Sequence, residues 1–99
     1  MLSSREEKDG RVIILVGEKF DYSVHQSFRD AYRNYTTPRT AFVIDLAKTK
    51  FMDSSALGMA LLLKEHAEKL GGTVEIRGAS GVVQKTLEIA NFHMMFKVS

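Results

Sequence analysis

Asp53, Ser54 and Ser55 stand between an apolar stretch, Phe42-Val43-Ile44-Asp45-Leu46 and then Phe51-Met52, and a long segment with helical periodicity. A hydroxyl therefore falls where a helix begins. The first turn of a helix carries unpaired N–H groups and a partial positive charge. A serine at that point can cap the helix or accommodate a phosphate. Spacing alone favours the cap, made by Ser54 or Ser55.

Other chemistry is poorly supplied. A serine nucleophile at a strand end needs a G-x-S-x-G turn, and Asp53-Ser54-Ser55-Ala56 lacks the flanking glycines. His66 lies about three helical turns further along the same helix, too far to act as a base for Ser54. A small hydrolase using Ser54 is thus the least supported reading. His25, His66 and His93 have no H-x-x-x-H or H-x-E partner, so no metal site and no cofactor is expected. No G-x-x-x-x-G-K-S/T loop is present, and Gly71-Gly72 reads as a plain turn. The paired carboxylates Glu6 and Glu7 fall in a charged edge segment.

The composition narrows the partners. With 99 residues, 44% hydrophobic and 26% charged, one domain over residues 1–99 is expected, around a single core. The net charge is +2, and Arg29, Arg33, Lys48, Lys64, Lys69 and Lys85 are scattered among acids, which argues against direct nucleic-acid binding. Arg39, Lys48 and Lys50 read as solvated surface. Cysteine is absent, excluding disulfides and thiolate metal sites. Residues 1–9 are polar and lack the apolar centre of a signal peptide. In the long helical segment the apolar run 59–63 is five residues, against about 20 for a membrane span. A cytoplasmic protein without a membrane partner is expected.

The elements that must position Ser54 follow from periodicity. Residues 12–16 form a continuous aliphatic run, the pattern of a buried strand, and Asp9-Gly10 before it signals a hairpin to a charged edge strand over residues 3–8. Val24, Phe28, Ala31, Tyr32 and Tyr35 lie at helical spacing, with Ser23 and Gln26 matching a capping box. The first helix is therefore expected at about 23–35, its aromatic stripe packing into the core, ended by Thr36, Thr37 and Pro38. Strands follow at 41–46 and, through Gly71-Gly72, at 73–77. Between them a second helix spans about 55–70, with Lys64, Glu65, Glu68 and Lys69 on its wet side. Ser80 is placed to cap a third helix over 81–90, whose Val83, Leu87 and Ala90 face the sheet. Asn91 suits a left-handed helix stop, and residues 96–98 suit a short last strand. Such alternation predicts an α/β fold with a mixed sheet, parallel wherever a helix makes the crossover.

The segment Phe42-Val43-Ile44-Asp45-Leu46, with Phe51-Met52-Asp53-Ser54-Ser55-Ala56-Leu57-Gly58, closely resembles the signature of STAS domains, in particular bacterial anti-sigma factor antagonists. Gly71-Gly72-Thr73-Val74 is similar to the family's glycine turn and next strand, and residues 87–96 to its closing helix and strand start. The resemblance covers most of the chain from Val12 onward. It implies a STAS-like mixed sheet of about four to five strands covered by about three helices.

In that family the serine directly after the aspartate is phosphorylated by an anti-sigma factor with kinase activity, and a serine phosphatase reverses it. By position this is Ser54. The resemblance further implies that Asp53 is the acid beside the phosphosite, that Ser55 is the unmodified second serine, and that Asp21 lies in an acidic loop approaching the site. A partner patch of Asp21, Asp53, Ser55, Ala56 and Met59 follows. Ala56 replaces a common glycine, the Gly17 to Asp21 spacing is one residue longer than the usual form, and many relatives add a C-terminal helix beyond the point matching Ser99. The implied protein switches partners without catalysis of its own. The alternative is a STAS scaffold in a signalling assembly without reversible phosphorylation.

Overall fold

The computed structural model describes residues 2–99. In chain order the elements are β1 (Ser3–Glu6), β2 (Val12–Leu15), β3 (Lys19–Phe20), a 3-10 turn (Tyr22–Val24), α1 (His25–Tyr32), β4 (Ala41–Asp45), β5 (Phe51–Met52), α2 (Ser54–Lys69), β6 (Thr73–Arg77), α3 (Gly81–Ile89), a second 3-10 turn (Phe92–Met94) and β7 (Lys97–Val98). The main sheet has five strands in the order β1-β2-β4-β6-β7. Only β1 runs antiparallel; β2, β4, β6 and β7 are mutually parallel.

The topology follows from connection lengths. Asp9 and Gly10 close the β1–β2 hairpin, with Gly10 at φ +88° and its N–H donating to the Glu7 carbonyl at 2.9 Å. Each later pair is separated by a helix, which a parallel crossover requires. Since β2, β4, β6 and β7 step in one direction, right-handed crossovers put α1, α2 and α3 on one face. The core shows this directly: Val12, Ile14, Phe42, Ile44 and Ile76 pack with Phe28, Ala60, Leu63, Val83 and Leu87 in one cluster. Ile13 and Val43 are also buried but point to the opposite face. Complete burial of a side chain such as Phe42 or Leu63 contributes about 1.5–3 kcal/mol.

Several boundaries differ from expectation for local reasons. The first helix begins with a 3-10 turn, because Asp21 rather than Ser23 is its cap and Val24 has non-helical angles of φ −101° and ψ 8°. The Ser23–Gln26 capping box does not form; the Gln26 amide donates to Asp30 instead, at 3.1 Å. The α-helix stops at Tyr32, and Tyr35 is kept near the core by edge-on contact with Phe42. Ser80 sits at the cap position of α3, but its side chain makes no capping bond. Asn91 does take the left-handed conformation, at φ 59°.

Strands β3 and β5 have no counterpart in the expected pattern. These two-residue strands pair in parallel, Lys19 with Phe51 and Phe20 with Met52. The Glu18 carbonyl receives the N–H groups of Lys50 and Phe51 at 2.8 and 3.1 Å, and buried Thr49 donates its hydroxyl to Gly17 at 2.9 Å. The segments entering α1 and α2 are thereby bound side by side.

Gly58 lies in the interior of α2, exposed, with nothing within 4 Å of the place a Cβ would occupy. Gly58→Ala is therefore expected to stabilise the protein by about 0.5–1 kcal/mol, read as a rise in melting temperature. A lower melting temperature would contradict the open space around this residue.

Candidate functional site

The β3–β5 pair determines the site. One register step beyond Phe20 and Met52 come Asp21 and Asp53, each at the start of a helical segment, and the Asp53 N–H donates to the Phe20 carbonyl at 3.4 Å. Adjacent strands lie about 4.8 Å apart, so the two acids emerge at one edge of the molecule. Their geometry is nearly the same. Asp21 has φ −137° and ψ −173°, Asp53 φ −129° and ψ −174°. The Asp21 Oδ1 accepts the Ser23 N–H at 3.0 Å and the Ser23 hydroxyl at 2.5 Å. The Asp53 Oδ1 accepts the Ser55 N–H at 2.9 Å and the Ser55 hydroxyl at 2.5 Å.

Asp53 is thus the helix cap, and neither serine fills that role. A carboxylate satisfies a free N–H and also meets the positive end of the helix dipole, an advantage no hydroxyl has. The consequence separates the serines. Ser55 gives its hydroxyl to Asp53 and is half-buried. Ser54, the first helical residue, is exposed, and its hydroxyl has no hydrogen-bond partner among the described residues. Asp53→Ala should cost about 1 kcal/mol and lower the melting temperature by about 4–8 °C. An unchanged melt would mean that Asp53 does not cap.

The hydroxyl and N–H of Ser23 hold the Asp21 carboxyl below its usual value. A depressed carboxyl pKa adds stability above the ordinary carboxylate value and loses it as pH falls through the lower folded one. The Asp21 cap therefore persists into acid in which a free aspartate is already protonated.

Two residues assigned to the partner patch do not join the surface around Ser54. Ala56 is 0% exposed and Met59 4%, both packed in the core. The second helix starts with Ser54 at its edge, so positions two and five residues later turn inward toward the sheet. The surface around Ser54 is supplied instead by Leu57 and by α3. Met52, Ser54, Leu57, Thr86, Ile89 and Ala90 border a groove of about 200 Å³, with Ile89 79% exposed. Its contribution has a sequence signal: Val82 and Ile89 are apolar but out of phase with the core residues Val83 and Leu87.

His66 lies elsewhere. Its Nε2 is 2.8 Å from the Tyr35 carbonyl, with the ring between Tyr32 and Phe42. No base therefore faces Ser54 from this histidine.

A family model described as "Mlab, STAS domain" matches residues 3–97. A STAS-domain containing protein of Pseudomonas aeruginosa is 40% identical over 92 residues, 92% of this chain and 91% of that protein. Among solved structures, the anti-sigma factor antagonist SpoIIAA in its unphosphorylated form is similar with a TM-score of 0.74 and 16% identity, over 100% of this chain and 87% of that one. The phosphorylated form of SpoIIAA, a Bacillus cell fate determinant, is similar with a TM-score of 0.67 and 15% identity, over 100% and 91%.

Proposed function

The chain belongs to the STAS-domain family, and from that membership together with the geometry at Ser54 we propose that it is an anti-sigma factor antagonist acting by partner switching. One observation carries the reading: Ser54 is the exposed hydroxyl of the helix start, unpaired among the described residues, beside an apolar groove. Its neighbour Ser55 is already engaged by Asp53.

Unmodified, the edge formed by Asp21, Asp53 and Ser54 and the groove of Leu57 and Ile89 offers a small apolar contact with a polar rim, the anatomy of a protein interface. This patch replaces the buried Ala56 and Met59. Phosphate on Ser54 adds about −1.5 to −2 charge. The helix N-terminus tolerates that charge inside the domain. A partner seated on the groove meets a desolvated dianion beside two carboxylates, and releases.

On this reading the partners are an anti-sigma factor, which can itself be the serine kinase, and a serine phosphatase, all in the cytoplasm. The chain is their substrate and catalyses nothing. Incubation with ATP and the cognate kinase, followed by mass spectrometry, should place one phosphate on Ser54. Phosphate on Ser55 or on no serine would overturn the switch.

The scaffold reading, docking without modification, draws on one feature. Asp53 already sets a carboxylate next to Ser54 and so disfavours a phosphate there.

A further inference from the structure

Between α1 and α2, on a flank of α2 different from that of Ser54, lies an open cleft of about 340 Å³. We propose that it binds a small amphipathic organic anion, with an apolar body over Tyr32 and Leu62 and a carboxylate or phosphate head held by Arg29 and the Tyr32 hydroxyl.

Charge is the first argument. His25, Arg29 and Arg33 recur every four residues along α1 and form one wall, while Glu65, His66 and Lys69 of α2 form the other. The acids there are engaged: Glu65 pairs with Lys69 at 3.6 Å, and Asp30 pairs with Arg33 at 3.3 Å. Arg29 has no ionic partner among the described residues. The cleft is left with a surplus cation on its exposed rim, free to meet a counter-charge.

The Tyr32 hydroxyl is a polar group at the cleft that no group among the described residues engages. Tyr32 is only 6% exposed, and its hydroxyl makes no hydrogen bond within the described residues. No fully buried side-chain oxygen or nitrogen among them is unsatisfied, so this oxygen opens onto the cleft that Tyr32 lines. Burial raises the phenol above its ordinary value, partly offset by Arg29 and reinforced by Glu65. At neutral pH it therefore keeps its proton and presents a donor beside the Arg29 guanidinium. Two donors lining one cleft, neither engaged by an acceptor among the described residues, fit an anionic head.

Shape and lining complete the case. The volume lies within the range of small-molecule sites and holds about eleven non-hydrogen atoms at the roughly 30 Å³ share of a water molecule. Phe28, Tyr32 and Met59 make an apolar floor, and Leu62, half-exposed, overhangs it. A free phosphate would leave that floor uncovered, whereas an eight-carbon acid covers it.

The test is an amide-resonance titration of the whole protein with octanoate, octyl phosphate and, as the neutral analogue, octanol. Either anion is expected to give saturable shifts confined to α1 and the facing side of α2, at least tenfold tighter than octanol; the tighter anion gives the head group. Arg29→Ala and Tyr32→Phe should each weaken that anion about fivefold or more. Arg29 is exposed, and Tyr32→Phe removes only an oxygen, so both variants should keep the wild-type melt. Absence of saturable shifts, equal binding of octanol, or full binding by Arg29→Ala overturns the proposal. Ser54 takes no part in this binding, so the outcome is independent of the partner switch.

Discussion

Ser54→Asp is expected to bind the proposed anti-sigma factor partner about a hundredfold or more weakly than Ser54→Ala, a difference of about 2.7 kcal/mol. Ser54 is exposed and its hydroxyl makes no hydrogen bond to the described residues, so neither substitution disturbs packing, and stability should change by no more than about 0.5 kcal/mol from that source. Aspartate at the first helical residue also gains from the helix dipole, by about 0.3–1 kcal/mol. The aspartate variant should therefore melt at or slightly above the alanine variant. Weak binding combined with an intact or raised melting temperature distinguishes a switch from damage. Equal affinities, measured by calorimetry with the purified partner, would refute the electrostatic mechanism and leave the scaffold reading. A single carboxylate carries less charge than phosphate, so true phosphorylation should act more strongly still.

The second large effect is on the fold. Gly72→Ala is expected to destabilise the protein by about 3 kcal/mol or more, lowering the melting temperature by at least about 12 °C. A Cβ on Gly72 would lie 2.0 Å from the Thr40 carbonyl oxygen and 3.0 Å from its carbon. These are backbone atoms at the start of the central strand β4, and the same carbonyl accepts the Thr73 N–H at 3.2 Å. Thr40 is buried and is itself anchored by its hydroxyl to the Thr37 carbonyl at 2.7 Å. Nothing there can yield cheaply. Gly71, by contrast, is a glycine for its φ of +71°, not for space. A Gly72→Ala protein melting within a few degrees of wild type would show that β4 can move, contrary to its place in the sheet.

Much of this architecture is readable in the residues, and the failures have physical causes. Strands β2 and β4 are detectable because a parallel strand under helices is an almost unbroken apolar run, as 12–15 and 41–44 are, whereas β6 shows through the Gly71-Gly72 turn and the alternation of Val74 and Ile76 with polar residues. Lys19-Phe20 and Phe51-Met52 are too short to show any period, and their pairing joins segments about thirty residues apart, which no local pattern encodes. The phase of α2 is obscured for a different reason. Residues 59–63 are apolar on every side, so periodicity does not tell that Met59 and Leu63 face inward while Leu61 and Leu62 face out. The cap was hidden by competition: Asp53, Ser54 and Ser55 are all good capping residues, and only backbone geometry selects Asp53. Ile89 is not legible in the sequence, because an apolar residue outside the core period acquires a role only from the placement of α3 beside Ser54.

The two margins of the main sheet carry one more consequence. Along its outer side β1 is wholly exposed and bears Arg5 and Glu6, while β7 contributes only two residues, one of them Lys97. Strand-by-strand growth into fibrils needs a long, uncharged border whose amides are free to be extended by another chain. Charge bars it at one margin and brevity at the other. Neither margin of the main sheet therefore offers a template for strand-by-strand growth.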